Sequence, residues 1–257
     1  MKLPGMHAVV TGASRGIGEA VTRELIARGC RVTMVARTVT ALDTIAAETG
    51  AAAVPMDLAS GGGMDTAIAG IETQHGPIDI LINNAALGDV APFLELPVDA
   101  SRRHINANLI APMEMTRQVL PGMVERRRGT IVNVCSLAGE IATRNAAPYA
   151  TSKAGLSMFT SYLHRELRKS PVTPLLLLLG EVDTAILEQV RADPVMSIVA
   201  KRVGKLRALT PQQVATKLAD AIEKDKRILV LPPAARPILG VRHVPSRLMD
   251  LAMIGVR

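Results

Sequence analysis

The sequence predicts an α/β fold with a doubly wound parallel sheet, on the basis of three observations. Seven short apolar runs alternate with longer stretches of helical periodicity, the pattern of repeated strand-helix-strand units. No linker rich in serine or proline and no internal repeat divides the 257 residues, so residues 1–257 are expected to form a single domain. The hydrophobic fraction of 48% is enough for a sizeable core and excludes a disordered or collagen-like chain.

Each predicted strand is a short apolar run bounded by turn residues. The strands are expected at residues 7–11, 31–36, 52–55, 78–83, 130–135, 175–179 and 228–231. Gly29 and Gly50 stand where a left-handed residue would end the first two helices. Thr210, Pro211 and Gln213 supply an N-cap, a first-turn proline and a capping-box partner for a late helix.

The predicted core is aliphatic. With no Trp, two Tyr and two Phe, the interior must be filled by Ala, Val, Ile, Leu and the 12 methionines. The longest purely apolar run, residues 175–179, is far shorter than the roughly 20 residues that cross a bilayer. We therefore expect no membrane span.

Charge and cysteine usage exclude other classes of function. The 30 Lys and Arg against 23 Asp and Glu give a net charge of +7, a surplus found in many nucleic-acid-binding proteins. The positive residues are scattered and no base-reading motif occurs, so we expect no nucleic-acid partner. The five histidines have no metal-ligand spacing, so we expect no metal. Cys30 and Cys135 lie in apolar runs without a paired pattern, which predicts reduced, buried thiols and a cytoplasmic protein.

Two segments depart from the strand-helix alternation. Residues 180–209 carry a weak helical pattern broken by Pro194 and Gly204, and we expect them to cover a substrate. Their many aliphatic side chains favour an apolar substrate. The tail, residues 232–257, sets arginines and prolines among apolar residues. Weak contact of this tail with an anionic membrane surface is one expectation, and packing across a subunit interface, which we favour, is the other.

A glycine-rich turn follows the first predicted strand. The strand runs directly into residues 12–18, Gly-Ala-Ser-Arg-Gly-Ile-Gly, and then into a helix-forming stretch. Glycines in this position allow a sharp turn, close approach of a pyrophosphate and close packing of helix on strand, while the helix N-terminus offers free N–H groups. The pattern predicts a dinucleotide site of the Rossmann type.

The end of the second predicted strand indicates which nicotinamide cofactor binds. A carboxylate there would bond the ribose hydroxyls of NAD, but the strand ends with Ala36. Arg37 and Arg15 offer two guanidinium groups that suit the 2′-phosphate of NADP. The sequence therefore favours NADP over NAD.

Tyr149 and Lys153 form the predicted proton-transfer pair. Their spacing places them one turn apart on the same face of a helix. A tyrosine that transfers protons near pH 7 needs a pKa lowered from about 10, and a neighbouring ammonium supplies an interaction of the right sign and size. Ser136 ends the fifth predicted strand, at the carboxyl edge where such sheets bind ligands, and its hydroxyl could hold a substrate carbonyl.

In this order the motifs resemble those of the short-chain dehydrogenase/reductase family, and the resemblance covers almost the whole chain. The matching residues are Gly12, Gly16, Gly18, Asp57, Asn83, Asn84, Ala85, Asn108, Ser136, Tyr149 and Lys153. The resemblance implies that Tyr149 donates or takes the proton and that Ser136 orients the substrate carbonyl. It also implies that Asn108 kinks its helix and holds a water on Lys153, and that the protein is a homodimer or homotetramer.

The resemblance also implies which residues contact the cofactor. They are Gly12, Ser14, Arg15, Gly16, Ile17, Gly18, Arg37, Asp57, Leu58, Asn83, Ala85, Tyr149, Lys153, Gly180 and Thr184. Asp57 would contact the adenine, and Lys153 would hold the nicotinamide ribose. Ala86 and Leu179 stand where the family usually has glycine and proline.

The expected function is an NADP(H)-dependent oxidoreductase that moves a hydride between nicotinamide and a carbonyl or secondary alcohol of an apolar small molecule. An alternative remains open, motivated by Ala86, Leu179 and the tail. It is a regulatory or scaffold protein that binds a dinucleotide and has little catalytic activity.

Overall fold

All the strands of the computed structural model, which describes residues 1–141, 144–193 and 208–241, pair in parallel. They are β1 (His7–Thr11), β2 (Arg31–Ala36), β3 (Ala52–Pro55), β4 (Ile80–Asn83), β5 (Gly129–Ser136), β6 (Val172–Leu179) and β7 (Ile228–Leu231). They form one seven-stranded sheet in the order β3-β2-β1-β4-β5-β6-β7. The chain runs from β1 to β2 and β3 on one side and then crosses to β4 on the other side of β1, which confirms the predicted doubly wound fold. This change of direction creates a crevice at the carboxyl ends of β1 and β4.

Helices cover both faces of the sheet. They are α1 (Gly16–Ala27), α2 (Val39–Thr49), α3 (Met64–His75), α4 (Ala100–Ile105), α5 (Ala111–Glu125), α6 (Ala147–Glu166), α7 (Ala185–Ala192) and α8 (Pro211–Glu223). One face buries apolar side chains of α1, α2 and α8, and the other buries those of α3 and α5. A π-helical segment (Asn106–Ile110) lies between α4 and α5.

The predicted helix boundaries are confirmed. Gly50 closes α2 with φ +73°, and Gly29 follows α1 with φ +84°. Thr210 Oγ1 accepts from the Gln213 backbone N–H at 3.2 Å, while Gln213 Oε1 accepts from the Thr210 N–H at 3.0 Å. This reciprocal capping box begins α8 as the sequence predicts.

The core is aliphatic and rich in methionine, as predicted. Successive residues of a strand face opposite helical layers, so Val9 packs toward α3 and α5 while Val10 packs toward α1 and α8. The largest fully buried side chains are leucines, isoleucines and four methionines, Met34, Met64, Met115 and Met123. Both Cys30 and Cys135 are buried, and neither forms a disulfide bond, in agreement with the sequence prediction.

Strand β6 begins at Val172, three residues before the predicted start at Leu175, and it includes Pro174. The Leu176 N–H points toward β7 and donates to Arg227 O at 2.9 Å. Pro174, two residues earlier, faces the same side, but β7 starts opposite Leu176 and leaves that side of Pro174 without a strand neighbour. The carbonyl of Pro174 instead pairs with His164 Nε2 at 3.0 Å. A proline therefore fits inside β6 where the strand is locally at an edge.

Parts of two predicted segments lie outside the described residues. These parts are 194–207 of the predicted substrate-covering segment and 242–257 of the tail. The described start of the tail forms a 3₁₀ helix (Pro233–Val241) in which Ala235 is buried. Among the described residues, no helix combines the length and apolar character that a membrane crossing requires.

Candidate active site

The glycine turn brings β1, α1 and the end of β4 into close contact. Gly12 has φ +66°, and a Cβ atom there would lie 2.8 Å from Ala85 Cα. A Cβ atom at Gly18 would lie 2.2 Å from Gly12 O. Only glycine fits these positions, which leaves exposed backbone at the start of α1. Arg15 provides no side-chain hydrogen bond to cap α1, so the first N–H groups of this helix are suited to a phosphate.

Thr11 and Asn84 hold the loop that follows β4 against this turn. The Thr11 hydroxyl accepts from the Asn84 and Ala85 backbone N–H groups at 2.9 and 3.0 Å, and it donates to Ile82 O at 3.2 Å. Asn84 Nδ2 donates to Thr11 O at 2.9 Å. The sequence interpretation assigns Asn84 no separate role and does not single out Thr11, because their partners are about 70 residues away in the chain and no local spacing indicates them.

The predicted phosphate-binding arginines lie at the cleft beside the end of β2. Arg15 and Arg37 are both exposed, and both line the cleft. Arg37 Nε lies 4.0 Å from Asp57 Oδ1, and each of these side chains is about half exposed. Asp57 Oδ1 also accepts from the Ala59 N–H at 3.0 Å, which fixes the turn after β3. The site therefore presents cations and one carboxylate at the end of the cleft that leads away from Tyr149.

Ser136, Tyr149 and Lys153 lie together on the other part of the cleft wall. Lys153 is buried, its Nζ donates to Val134 O at 2.8 Å, and Nζ lies 6.0 Å from the centroid of the Tyr149 ring. A side-chain hydrogen bond joins Tyr149 to Ser136. Because Ser136 ends β5 and the pair stands in the first turns of α6, the fold brings together the three predicted groups from separate elements.

Burial controls the ionisation of this pair. It raises the pKa of Tyr149 above its ordinary value, and the hydrogen bond from Ser136 opposes that rise. Burial also lowers the pKa of Lys153 from 10.5 to about 8. The structure therefore does not show the lowered Tyr149 pKa that the sequence interpretation expects, because loss of hydration outweighs the effect of the Ser136 hydrogen bond. Tyr149 is protonated at neutral pH in this arrangement, the form that donates a proton.

Asn108 supports the site without facing the cleft. It is fully buried in the π-helical segment, so the irregular turn occurs where the resemblance implies a kink. Its Oδ1 accepts from the Leu87 N–H at 2.8 Å, and its Nδ2 donates to Leu87 O at 2.9 Å. Nδ2 also donates to Ser152 Oγ at 2.9 Å, next to Lys153 on α6. Asn108 thus ties the loop after β4 to the helix that carries Tyr149.

One cleft of about 1020 Å³ joins the glycine turn to Ser136, Tyr149 and Lys153. The predicted site residues on its wall are Gly12, Ser14, Arg15, Gly16, Ile17, Arg37, Asp57, Leu58, Ala85, Ser136, Tyr149, Lys153, Gly180 and Thr184. Ala86 and Leu179 also line it, so both departures from the family pattern border the site. Thr184 Cγ2 would lie 3.5 Å from a Cβ atom at Gly16, which places the start of α7 beside the glycine turn.

Three predicted residues lie behind the cleft wall. Gly18 packs against the turn, and Asn108 is described above. Asn83, which the resemblance implies as a cofactor contact, does not line this cleft with its side chain, because that side chain is buried and its Nδ2 donates to Asn133 Oδ1 at 2.8 Å. Alternation along β4 turns Asn83 into the protein and leaves Asn84 and Ala85 at the cleft. In the part of the chain that the structure describes, no cluster of three or more His, Cys, Asp or Glu residues could hold a metal ion.

Comparison with known proteins shows which family the chain belongs to. Residues 6–195 match the family model for short chain dehydrogenase. The 3-oxoacyl-acyl-carrier-protein reductase FabG of Vibrio harveyi is 32% identical over 224 residues, which cover 81% of this chain and 88% of that protein.

Two solved structures show the same architecture. A metagenomic short-chain oxidoreductase in complex with NADP shares 29% identity and a TM-score of 0.74, covering 90% of this chain and 98% of that one. A short chain dehydrogenase/reductase from Burkholderia phymatum in complex with NAD has a TM-score of 0.82 at 23% identity, over 97% of this chain and 96% of that one, and supports the fold alone. The chain therefore belongs to the short chain dehydrogenase family, NAD(P)-binding oxidoreductases that act on alcohol and carbonyl groups.

Proposed function

We propose that this protein is an NADP(H)-dependent oxidoreductase that transfers a hydride between nicotinamide and the carbonyl or secondary alcohol group of an apolar substrate. The observation that carries the proposal is the single cleft in which Ser136, Tyr149 and Lys153 stand at one end and the glycine turn at the other. A dinucleotide bound at the glycine turn would extend toward Tyr149. Its nicotinamide could there contact the reacting carbon atom of the substrate.

The residues beside the cleft supply proton transfer and orientation. The hydroxyls of Ser136 and Tyr149 are hydrogen-bonded to each other, so both can reach the oxygen of one carbonyl group. In the reducing direction, Tyr149 donates its proton to that oxygen as negative charge develops on it. The Lys153 ammonium stabilises the phenolate that remains. When bound, the nicotinamide supplies or accepts the hydride.

The cleft wall near Tyr149 favours an apolar substrate. Leu87, Val90, Ile141, Ile186 and Val190 line this part of it. A substrate with an extended polar surface would lose hydration there without gaining enough hydrogen-bond partners. A substrate with a hydrocarbon group next to its reacting carbonyl would pack against this wall.

Replacing Tyr149 by Phe tests the catalytic proposal. We expect turnover of a reactive ketone with NADPH to fall about 1000-fold, because the proton donor is lost while the ring is kept. The dissociation constant of NADPH, measured by fluorescence titration, should stay within about twofold. The matched control is Tyr162→Phe, since Tyr162 lies further along α6 and its side chain is 60% exposed.

The same assay distinguishes the alternative function. A regulatory or scaffold protein that binds a dinucleotide would show no turnover with a panel of aldehydes, ketones and alcohols and either cofactor. Measurable turnover that disappears in Tyr149→Phe rejects that alternative. Full activity of Tyr149→Phe would instead reject the proposed role of Tyr149.

The preference for NADP is supported by Arg15 and Arg37 at the cleft and by Ala36 at the end of β2. We expect Arg37→Ala to weaken NADPH binding about 10- to 100-fold, as loss of a charge-assisted bond to a phosphate does. NADH binding should not change, because NADH lacks the 2′-phosphate. Arg31→Ala is the control, since Arg31 starts the same strand at the opposite edge and donates to His75 O. Equal losses for both cofactors would contradict this preference.

A further inference from the structure

Two walls enclose the part of the cleft that lies next to Tyr149. One is the loop after β4, whose residues 85–90 line the cleft, and the other is helix α7. They touch at Gly88, where a Cβ atom would lie 3.2 Å from both Cδ1 and Cγ2 of Ile186. Because Gly88 has no Cβ atom, the Ile186 side chain can pack against it. This contact sets the shortest distance between the two walls.

Asn145 joins both walls beyond this contact. Its backbone O accepts from the Ala91 N–H at 2.9 Å, at the end of the loop wall. Its side-chain Nδ2 donates to Asp193 Oδ2 at 3.0 Å, directly after α7. We call these three residues, Ala91, Asn145 and Asp193, the clasp.

The position of Asn145 links the clasp to the proton donor. Asn145 lies four residues before Tyr149 and two before the start of α6. Its φ of +59° is a left-handed conformation that asparagine tolerates better than most residues with a side chain. This backbone turn brings the Asn145 carbonyl to one wall and its side chain to the other.

We propose that Asn145 is a positioning residue that holds α7 and the loop wall at a fixed distance from Tyr149, and that it thereby sets the affinity for the apolar substituent of a carbonyl substrate. This inference rests on the proposed function. Ile186 and Val190 of α7 and Leu87 and Val90 of the loop all line the cleft. Without the hydrogen bond from Asn145 to Asp193, the end of α7 is held less firmly against the loop wall, and an apolar chain between the walls loses contacts on one side.

Three variants test the clasp with NADPH and a series of linear 2-ketones from 2-butanone to 2-decanone. Asn145→Gly keeps the left-handed backbone and removes the bond to Asp193. Asn145→Asp places two carboxylates together. The double variant Asn145→Asp with Asp193→Asn restores one donor and one acceptor in exchanged positions.

We expect Asn145→Gly to raise KM for the longest ketone that is turned over by about five- to tenfold, the usual effect of one lost hydrogen bond. The kcat value and the NADPH dissociation constant should remain within about twofold, because Tyr149 and the glycine turn are untouched. KM for 2-butanone should change little, since its short apolar chain makes few contacts with the walls. Asn145→Asp should have the larger effect, and the double variant should return KM toward the native value.

A second readout separates failure of the clasp from failure of the proposed function. Hydrogen exchange of the α7 amides should accelerate about five- to tenfold in Asn145→Gly whether or not any ketone is turned over. Arg127→Gly is the matched control, since Arg127 is exposed, has φ +54° and follows α5. Unchanged exchange in α7, or no recovery in the double variant, would overturn the clasp. Altered exchange together with no turnover by the native protein would overturn the proposed function and leave the clasp as a structural device.

Discussion

The polar groups at two edges of the sheet behave in opposite ways. The amino edge is where the parallel strands begin, and the carboxyl edge is where they end. At the amino edge, the buried Asp79 carboxylate accepts from the His7 N–H at 3.1 Å and from Arg128 Nη2 at 2.8 Å. The His7 ring is itself bonded to Thr33 Oγ1 and Gly76 O, both at 2.9 Å. At the carboxyl edge, the N-terminus of α1 has no side-chain cap and Arg15 and Arg37 are exposed. The polar groups at the amino edge bind each other and stabilise the fold, whereas those at the carboxyl edge remain able to bind a ligand.

This difference predicts that changes at the carboxyl edge mainly affect ligand binding. The largest effect is expected for Gly18→Ala, whose new Cβ atom would lie 2.2 Å from Gly12 O and 2.7 Å from Asn84 Nδ2. Helix α1 must move away from the turn, and we expect NADPH affinity to fall about 100-fold, the effect of losing one or two hydrogen bonds to a charged phosphate. Fluorescence titration of NADPH measures this loss.

A second glycine provides the control for Gly18→Ala. Gly70 lies within α3, and no heavy atom lies within 4 Å of the position its Cβ atom would take. Gly70→Ala should leave NADPH affinity unchanged and raise the free energy of unfolding by about 0.5–1 kcal/mol, because alanine favours a helix. Native affinity in Gly18→Ala would show that the turn does not shape the cofactor site.

The opposite result is expected at the amino edge. Asp79→Ala leaves the buried His7 N–H without its acceptor, and we expect the free energy of unfolding to fall by about 2–3 kcal/mol. Loss of the ion pair adds little to this value, because Arg128 is 48% exposed and stays hydrated. NADPH affinity should remain within about twofold, since the edges are separated by the length of the strands.

Urea unfolding followed by circular dichroism measures the effect of Asp79→Ala. Asp43→Ala is the control, because Asp43 is an exposed residue of α2 and should change stability by less than about 0.5 kcal/mol. A large loss of NADPH affinity in Asp79→Ala, with stability unchanged, would remove the distinction between the two edges.

The carboxyl edge is also the part of the molecule that the sequence describes best. The glycine turn, Ser136 and the pair Tyr149 and Lys153 are recognisable because each is a short pattern next to a strand or within one helix. The strands are recognisable for a similar reason, since parallel strands buried on both faces are continuous apolar runs. Pro174 is the exception, because its place in β6 depends on where β7 begins.

What the sequence could not predict depends on residues far apart in the chain. Asp79 and Arg128 are 49 residues apart, and Asn145 and Asp193 are 48 apart. No periodicity links such pairs, and either partner alone resembles an ordinary surface residue. The inward direction of Asn83 is a different case, since it follows from alternation along β4: Leu81 packs toward α3 and α5, and Asn83, two residues later, lies on the same side of the sheet, opposite Asn133.

Lys153 lies beside the carboxyl edge, and its buried charge lowers the free energy of unfolding. A pKa lowered from 10.5 to about 8 corresponds to about 3 kcal/mol of unfavourable free energy for the buried ammonium at pH 7. Lys153→Met removes that charge, keeps similar volume and gives up the bond to Val134 O, which is worth about 2 kcal/mol because its donor is charged. We expect the variant to be more stable than the native protein by about 1 kcal/mol at pH 7 and to lose turnover.

The pH dependence of stability identifies the cause of this effect. Between pH 8 and 10.5 the unfolded chain still holds the Lys153 proton while the folded protein has released it, so native stability should rise with pH in this window. Lys153→Met lacks this contribution, and its advantage should shrink as the pH rises from 7 to 9.5. Urea unfolding of both proteins at the two pH values measures the difference. A variant that is less stable than the native protein at pH 7 would show that the Lys153 charge does not destabilise the fold. A stability advantage that does not depend on pH would show that the charge is not its cause.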